Sequence, residues 1–231
     1  MTGSPTYIVA GSRPWNRKVF DRSISTLPGQ WTFVANPEEL SAEHVHALAP
    51  RYLFFLHWSW KVPDEIVSRH ECVGFHMTDL PFGRGGSPLQ NLILLGHRET
   101  RLAALQLVSE LDAGPIYQKV PMSLEGTAEQ VLIRSSELAA EMIRDIIETE
   151  PTPVPQEGEP TTFKRRRPAE SEIPRVEALG ELHDFIRMLD AEGYPRAFLR
   201  HNGFRYEFKR AALYDGRLVA DVTIFPDEEV R

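Results

Sequence analysis

The run Tyr52-Leu53-Phe54-Phe55-Leu56, leading into His57-Trp58-Ser59-Trp60, decides the architecture. Five consecutive apolar residues leave no polar face, as a strand covered on both sides of a parallel sheet requires. The run is strand-sized, far short of the ~20 residues a membrane span needs. Outward from it, short apolar runs alternate with amphipathic stretches. Tyr7–Ala10 reads as a strand opening into the loop Gly11–Asn16, Val19–Leu27 as a helix, and Trp31–Ala35 as a second strand. Pro37–Leu48, behind the capping residue Asn36, and Val62–His70 read as helices, and Cys72–His76 as a further strand. Strands and helices in alternation imply an α/β chain with a doubly wound sheet.

Past His76 the alternation breaks. Met77–Ser87 holds Gly83, Gly85 and Gly86 beside two prolines and reads as a loop. Leu89–Leu95 resumes a short helix, and Leu102–Val108 and Pro115–Val120 read as strands. Thr127-Ala128-Glu129-Gln130 forms a capping box for a long helix, Val131–Ile147. Pro151–Pro160 has no apolar period and begins a linker, followed by the basic run Lys164–Arg167, which is read as a solvated face or a contact for an anionic substrate. Val176–Leu189 then reads as a helix, and Phe198–Leu213 and Arg217–Phe225 as strands around the turn Asp215-Gly216. The expected division is a catalytic domain over 1–150, a proline-rich and basic linker over 151–174, and a small α+β appendage with a hairpin over 175–231.

Composition narrows the function. Of 231 residues, 42% are hydrophobic and 26% charged, the balance of a packed protein rather than a disordered or fibrous one. With 26 basic residues against 33 acidic ones, the net charge of −7 speaks against nucleic acid as a partner. Met1–Ala10 has no basic region followed by an apolar core, and the single cysteine, Cys72, excludes a disulfide framework; a cytoplasmic setting with no membrane contact is expected. No metal site is expected, because His44 and His46 stand two apart on a helix and point different ways. The first βα loop, Ala10-Gly11-Ser12-Arg13-Pro14, lacks the glycine spacing of a dinucleotide site.

Two segments carry chemistry. In Gly74-Phe75-His76-Met77-Thr78-Asp79-Leu80-Pro81-Phe82-Gly83-Arg84-Gly85, a histidine closes a strand and a glycine-rich loop follows. Ligands of open α/β sheets sit beyond the carboxyl ends of the strands, which puts His76 at the rim where a substrate binds. Glu110-Leu111-Asp112-Ala113-Gly114 joins two strands and offers a carboxylate beside a glycine. Taken alone, the histidine reads as either structural or functional, and Asp-x-Gly in a connection reads as a turn.

Together the two segments resemble the 10-formyltetrahydrofolate-dependent formyltransferases. That family has Asn-x-His, a Ser/Thr-x-Leu-Pro step, an Arg-Gly loop and a later Asp-x-Gly; here the matches are His76, Thr78 with Leu80-Pro81, Arg84-Gly85, and Asp112 with Gly114. Within the family the chain looks most like the sugar N-formyltransferases of the pseudaminic acid type and the related formylation domains of peptide synthetases. The resemblance implies a Rossmann-like formyltransferase fold and N-formyl transfer from 10-formyltetrahydrofolate to a nucleotide-linked amino sugar. Its alternatives are another amine (methionyl-tRNA, an amino acid on a carrier protein, a small metabolite) or hydrolysis of the donor to formate. It also implies His76 and Asp112 as catalytic residues. The family asparagine falls at Gly74, and Asn91 is the candidate replacement. The reduced folate is expected along the His57–Pro63 turn, with Trp58, Ser59, Trp60, Leu80, Phe82, Arg84 and Gly114 as its contacts, and the loop Ser12–Asn16 near the acceptor. On this reading the C-terminal hairpin and the helix Val176–Leu189 could serve the two-fold contact of a homodimer.

Overall fold

A computed structural model describes residues 4–227; residues 1–3 and 228–231 lie outside the described residues. In chain order come β1 (Thr6–Gly11), α1 (Pro14–Val19), β2 (Gln30–Val34), α2 (Ala42–Leu48), β3 (Tyr52–Leu56), α3 (Asp64–Arg69) and β4 (Cys72–His76). Then follow the two-residue β5 (Arg84–Gly85), α4 (Pro88–Leu94), β6 (Glu99–Gln106), β7 (Ile116–Ser123), α5 (Ala128–Thr149) and the two-residue β8 (Thr162–Phe163). α6 (Leu179–Arg187), β9 (Ala197–His201), β10 (Phe204–Tyr214) and β11 (Arg217–Pro226) close the chain. Two compact units are built from interleaved segments: Met1–Gly85, Thr100–Met122 and Ile133–Thr162 form one, and Gly86–Glu99, Ser123–Leu132 and Phe163–Arg231 the other. The stretch expected as a linker is therefore shared between them, dividing after Thr162.

The first unit holds a six-stranded sheet in the order β2-β1-β3-β4-β6-β7. β1 pairs in parallel with β2 and β3, and β3 with β4, whereas β4 meets β6 antiparallel. The expected doubly wound α/β sheet is present in mixed form. Because the chain leaves β1 toward β2 and returns on its other side as β3, the winding reverses there, and the carboxyl ends of β1 and β3 flank the switch point. On one face Ile8, Ala10, Leu53, Phe55 and Cys72 pack with Val45 and Ile66 of the covering helices. The other face carries a file of rings, Tyr7 against Trp31 and Tyr52, with Phe54 against Trp31 and Tyr52. Burial pushes the Cys72 thiol up to about 12, so it remains a protonated packing group.

Some boundaries differ from the sequence reading. The first helix starts at Pro14, five residues before the expected Val19, because proline fixes φ at the first helical position. Pro37–Leu48 is a single turn, Pro37–Glu39, followed by α2, which Ser41 caps by accepting the His44 N–H.

In the second unit the expected strand Phe198–Leu213 is two strands, making a three-stranded antiparallel sheet in the order β11-β10-β9. The break is Asn202-Gly203, both at positive φ, the conformation a two-residue hairpin turn demands. α6 packs on β10, and buried Arg187 donates from Nη1 to the carbonyls of Leu124 and Gly126. Among the described residues no helix is long and apolar enough to cross a membrane, and no three histidine, cysteine or acidic side chains gather as metal ligands.

Candidate active site

His76 ends β4 with its side chain only 9% exposed, and Asp112, in the β6–β7 connection, comes to it from 36 positions away in sequence, Oδ2 lying 3.5 Å from Nδ1. The other ring nitrogen, Nε2, donates to the Gly83 carbonyl at 2.8 Å. Each nitrogen thus faces an oxygen, Nε2 the Gly83 carbonyl and Nδ1 the Asp112 carboxylate. Asp112 is held at φ 52°, a left-handed geometry that short polar side chains tolerate, and its Oδ2 accepts the Gly85 N–H at 2.9 Å. The carboxylate therefore ties the glycine loop and the histidine together.

The β6–β7 connection has no slack. A Cβ on Gly114 would stand 1.7 Å from the Gln106 carbonyl oxygen, so only glycine lets the chain cross there. Gln156, in the proline-rich stretch, secures the same turn: its Nε2 donates to the Asp112 and Gly114 carbonyls at 2.8 Å each. Its Oε1 accepts from Arg84 Nε and Nη2 at 3.1 and 2.9 Å. Arg84 also reaches Glu110 at 3.1 Å, so its guanidinium ties the loop to two partners. Thr161 adds a clamp, its Oγ1 accepting the Gly83 N–H at 2.7 Å. Sequence reasoning missed Gln156 and Thr161, since a glutamine among prolines carries no periodic signal.

The remaining expected residues fall as follows. Gly74 sits where a Cβ would lie 2.6 Å from Leu107 Cδ2, so the room the family asparagine needs is filled by an aliphatic side chain. Asn91 lies on α4 in the second unit, and its Nδ2 donates to the carbonyls of Gly86, Ser87 and Lys164; its protons fasten backbone. Leu80 is buried with Ala103, Leu105 and Ile116 and meets the protein's own core. Phe82 is half-buried on the glycine loop, and Ser59 is exposed. Trp58 packs edge-on between Phe55 and Trp60, its Nε1–H buried without a partner, and Trp60 is 45% exposed. The loop expected to face an acceptor turns inward: Trp15 and Asn16 are buried. In the basic run, Lys164, Arg165 and Arg167 are exposed, while Arg166 lies over the Phe185 ring.

Comparison with known proteins bears on this site. Residues 168–225 match the family model described as the methionyl-tRNA formyltransferase C-terminal domain. A curated methionyl-tRNA formyltransferase of Cutibacterium acnes is 30% identical over 151 residues, which cover 62% of this chain and 47% of that protein. The chain spans about half the length of the curated relatives it matches. A solved structure titled methionyl-tRNA formyltransferase from Clostridium thermocellum is 43% identical, covers 96% of this chain and 99% of that one, and superposes with a TM-score of 0.91. A 4-N formyltransferase from Francisella tularensis, at 15% identity and a TM-score of 0.67, shares the fold. The expectation that the chain stands nearest the sugar branch is corrected by the difference between 43% and 15% identity. A relative that similar over nearly the whole of both chains leaves one assignment: the chain belongs to the formyltransferase family.

Proposed function

We propose that the protein moves a formyl group from 10-formyltetrahydrofolate to the α-amine of an aminoacyl acceptor such as methionyl-tRNA. The observation that carries this reading is the His76–Asp112 pair held at the carboxyl end of β4 against the Gly83–Gly85 loop. The relatives' names favour methionyl-tRNA over an amino sugar, and the exposed cations of Lys164–Arg167 supply local positive charge that the net −7 conceals.

Trp58 and Trp60, on the turn that follows His57, suit a reduced folate. The orphaned Trp58 N–H is a donor in need of an acceptor, and the exposed Trp60 ring offers a flat face. Bound there, the donor would supply the formyl carbon that the amine attacks. His76 then serves the oxygen on which charge develops, using the Nε2–H that Gly83 otherwise takes. A donor so placed contributes about 3 kcal/mol in comparable acyl transfers. Asp112 takes up, through Nδ1 of His76 or a water, the proton the attacking amine sheds, and returns one to the leaving nitrogen. Leu80, Arg84 and Gly114 act by fixing these two groups, and Asn91 by fixing the start of α4.

The test is consumption of 10-formyltetrahydrofolate in the presence of methionyl-tRNA, a nucleotide-linked amino sugar, a free amino acid, or no acceptor. The reading expects formylmethionyl-tRNA. Turnover of the amino sugar alone would restore the sugar reading, and formate release without an acceptor would make the protein a hydrolase.

A further inference from the structure

At the switch point the polar groups of three buried side chains converge on one imidazole. His57 follows β3 at φ 48°, and its backbone carbonyl accepts the Ser12 hydroxyl at 3.2 Å. Its Nδ1 faces Trp15 Nε1 at 3.3 Å, Asn16 Nδ2 at 3.1 Å and Ser136 Oγ at 3.5 Å. The indole nitrogen only donates. The asparagine amide is also fixed in orientation: its Oδ1 accepts the Arg13 N–H at 3.0 Å, so Nδ2 must be the donor, with its second proton on Ser136 Oγ at 3.0 Å. Nδ1 is therefore an acceptor, and the proton of the neutral ring is on Nε2. Protonating Nδ1 would set N–H against N–H; that crowding, the burial of the ring and the nearby Arg13 guanidinium agree with a pKa lowered to about 4. Nε2 has no partner among the described residues and does not belong to the fully buried unpaired atoms, so its N–H is open to a ligand.

The register places this donor beside the catalytic strand. Phe55 of β3 pairs with Gly74 of β4 and the two strands run in parallel, so His57, just past the end of β3, and His76, which closes β4, lie toward the same end of the sheet. A core that commits Trp15, Asn16 and Ser136 to the tautomer of one ring mouth residue resembles the way outer partners orient a working histidine.

We propose that the Nε2–H of His57 is a fixed, uncharged donor to the carbonyl oxygen adjacent to the acceptor amine, making it a specificity-determining residue for α-aminoacyl substrates. This rests on the function proposed above and deepens it. An uncharged donor holds the carbonyl without adding positive charge beside an amine that must stay neutral to attack. The donor's electrostatics also hold from pH 5 to 8, because the ring does not titrate there.

Two measurements test it. In protein labelled with ¹⁵N-histidine, long-range ¹H–¹⁵N spectra should show His57 as the Nε2–H tautomer from pH 7 down to pH 5, and Asn16→Ala should release it to titrate nearer pH 6.5. A wild-type ring that carries its proton on Nδ1, or that titrates near 6.5, overturns the proposal whatever the enzyme's activity. In steady-state kinetics His57→Phe, which keeps a ring and loses the N–H, should raise KM for methionyl-tRNA about tenfold and leave KM for 10-formyltetrahydrofolate unchanged. An unchanged acceptor KM, or a shift in the folate KM instead, overturns it. Absence of transfer in the unmutated protein would sink the proposed function while the spectra still decide the tautomer.

Discussion

Gly114 and Gly74 show how a missing side chain shapes the site. Gly114 exists because the Gln106 carbonyl occupies the space of its Cβ, and its turn presents Asp112 to His76. Gly114→Ala should cost about 3 kcal/mol or more through overpacking against backbone, read as a fall in thermal midpoint, with formyl transfer lost in step. Gly74 is a different case, because the obstacle is the flexible end of Leu107. The Asp-x-Gly pattern was legible in the sequence as a motif. That its glycine answers a carbonyl eight residues earlier was not, since only the folded strand pair brings the two together. Asn91 was misleading for the same reason: a donor one helical turn past a loop reads as free, yet three carbonyls use it.

At the scale of elements, the strands read most truly. Tyr52–Leu56 emerged with the bounds its continuous apolarity implied, and Cys72–His76 likewise, because burial on both faces leaves an unambiguous pattern. The proline-rich stretch was opaque: prolines mark the absence of regular structure, not the absence of contacts. There Val154 bridges to Ile116 and Gln156 clamps the turn that carries Asp112. Gln156→Ala should lower kcat by about tenfold or more while the thermal midpoint moves little, since it loosens Asp112 and Arg84 without touching the core. Rescue by Gln156→Glu should fail, because a carboxylate has no proton for the Asp112 and Gly114 carbonyls. The C-terminal sheet hid a strand behind Asn202-Gly203, a turn signal as strong as the Asp215-Gly216 that was recognised.

For the whole molecule, stability should follow the imidazoles. Burial lowers the pKa of His57 to about 4, and lowers those of His70 and His183 as well, with the His46 ring, 4.9 Å from that of His70, adding repulsion. A histidine depressed in the folded state binds its proton more readily when unfolded. Stability is therefore intact above the ordinary histidine value and lost as pH falls from about 6.5 toward 4. His57 alone should account for up to about 3 kcal/mol of that loss, seen as a denaturant midpoint that drops across the window and then levels. The proposed transfer, by contrast, requires that His76 and Asp112 act as one unit, and a single substitution tests that most directly. Asp112→Asn keeps an oxygen for the Gly85 N–H, so the loop stays in place while the carboxylate beside His76 Nδ1 is gone. Single-turnover formyl transfer by this variant should slow by about 10² to 10⁴ with KM for 10-formyltetrahydrofolate nearly unchanged; a rate within twofold of the parent protein would contradict the account.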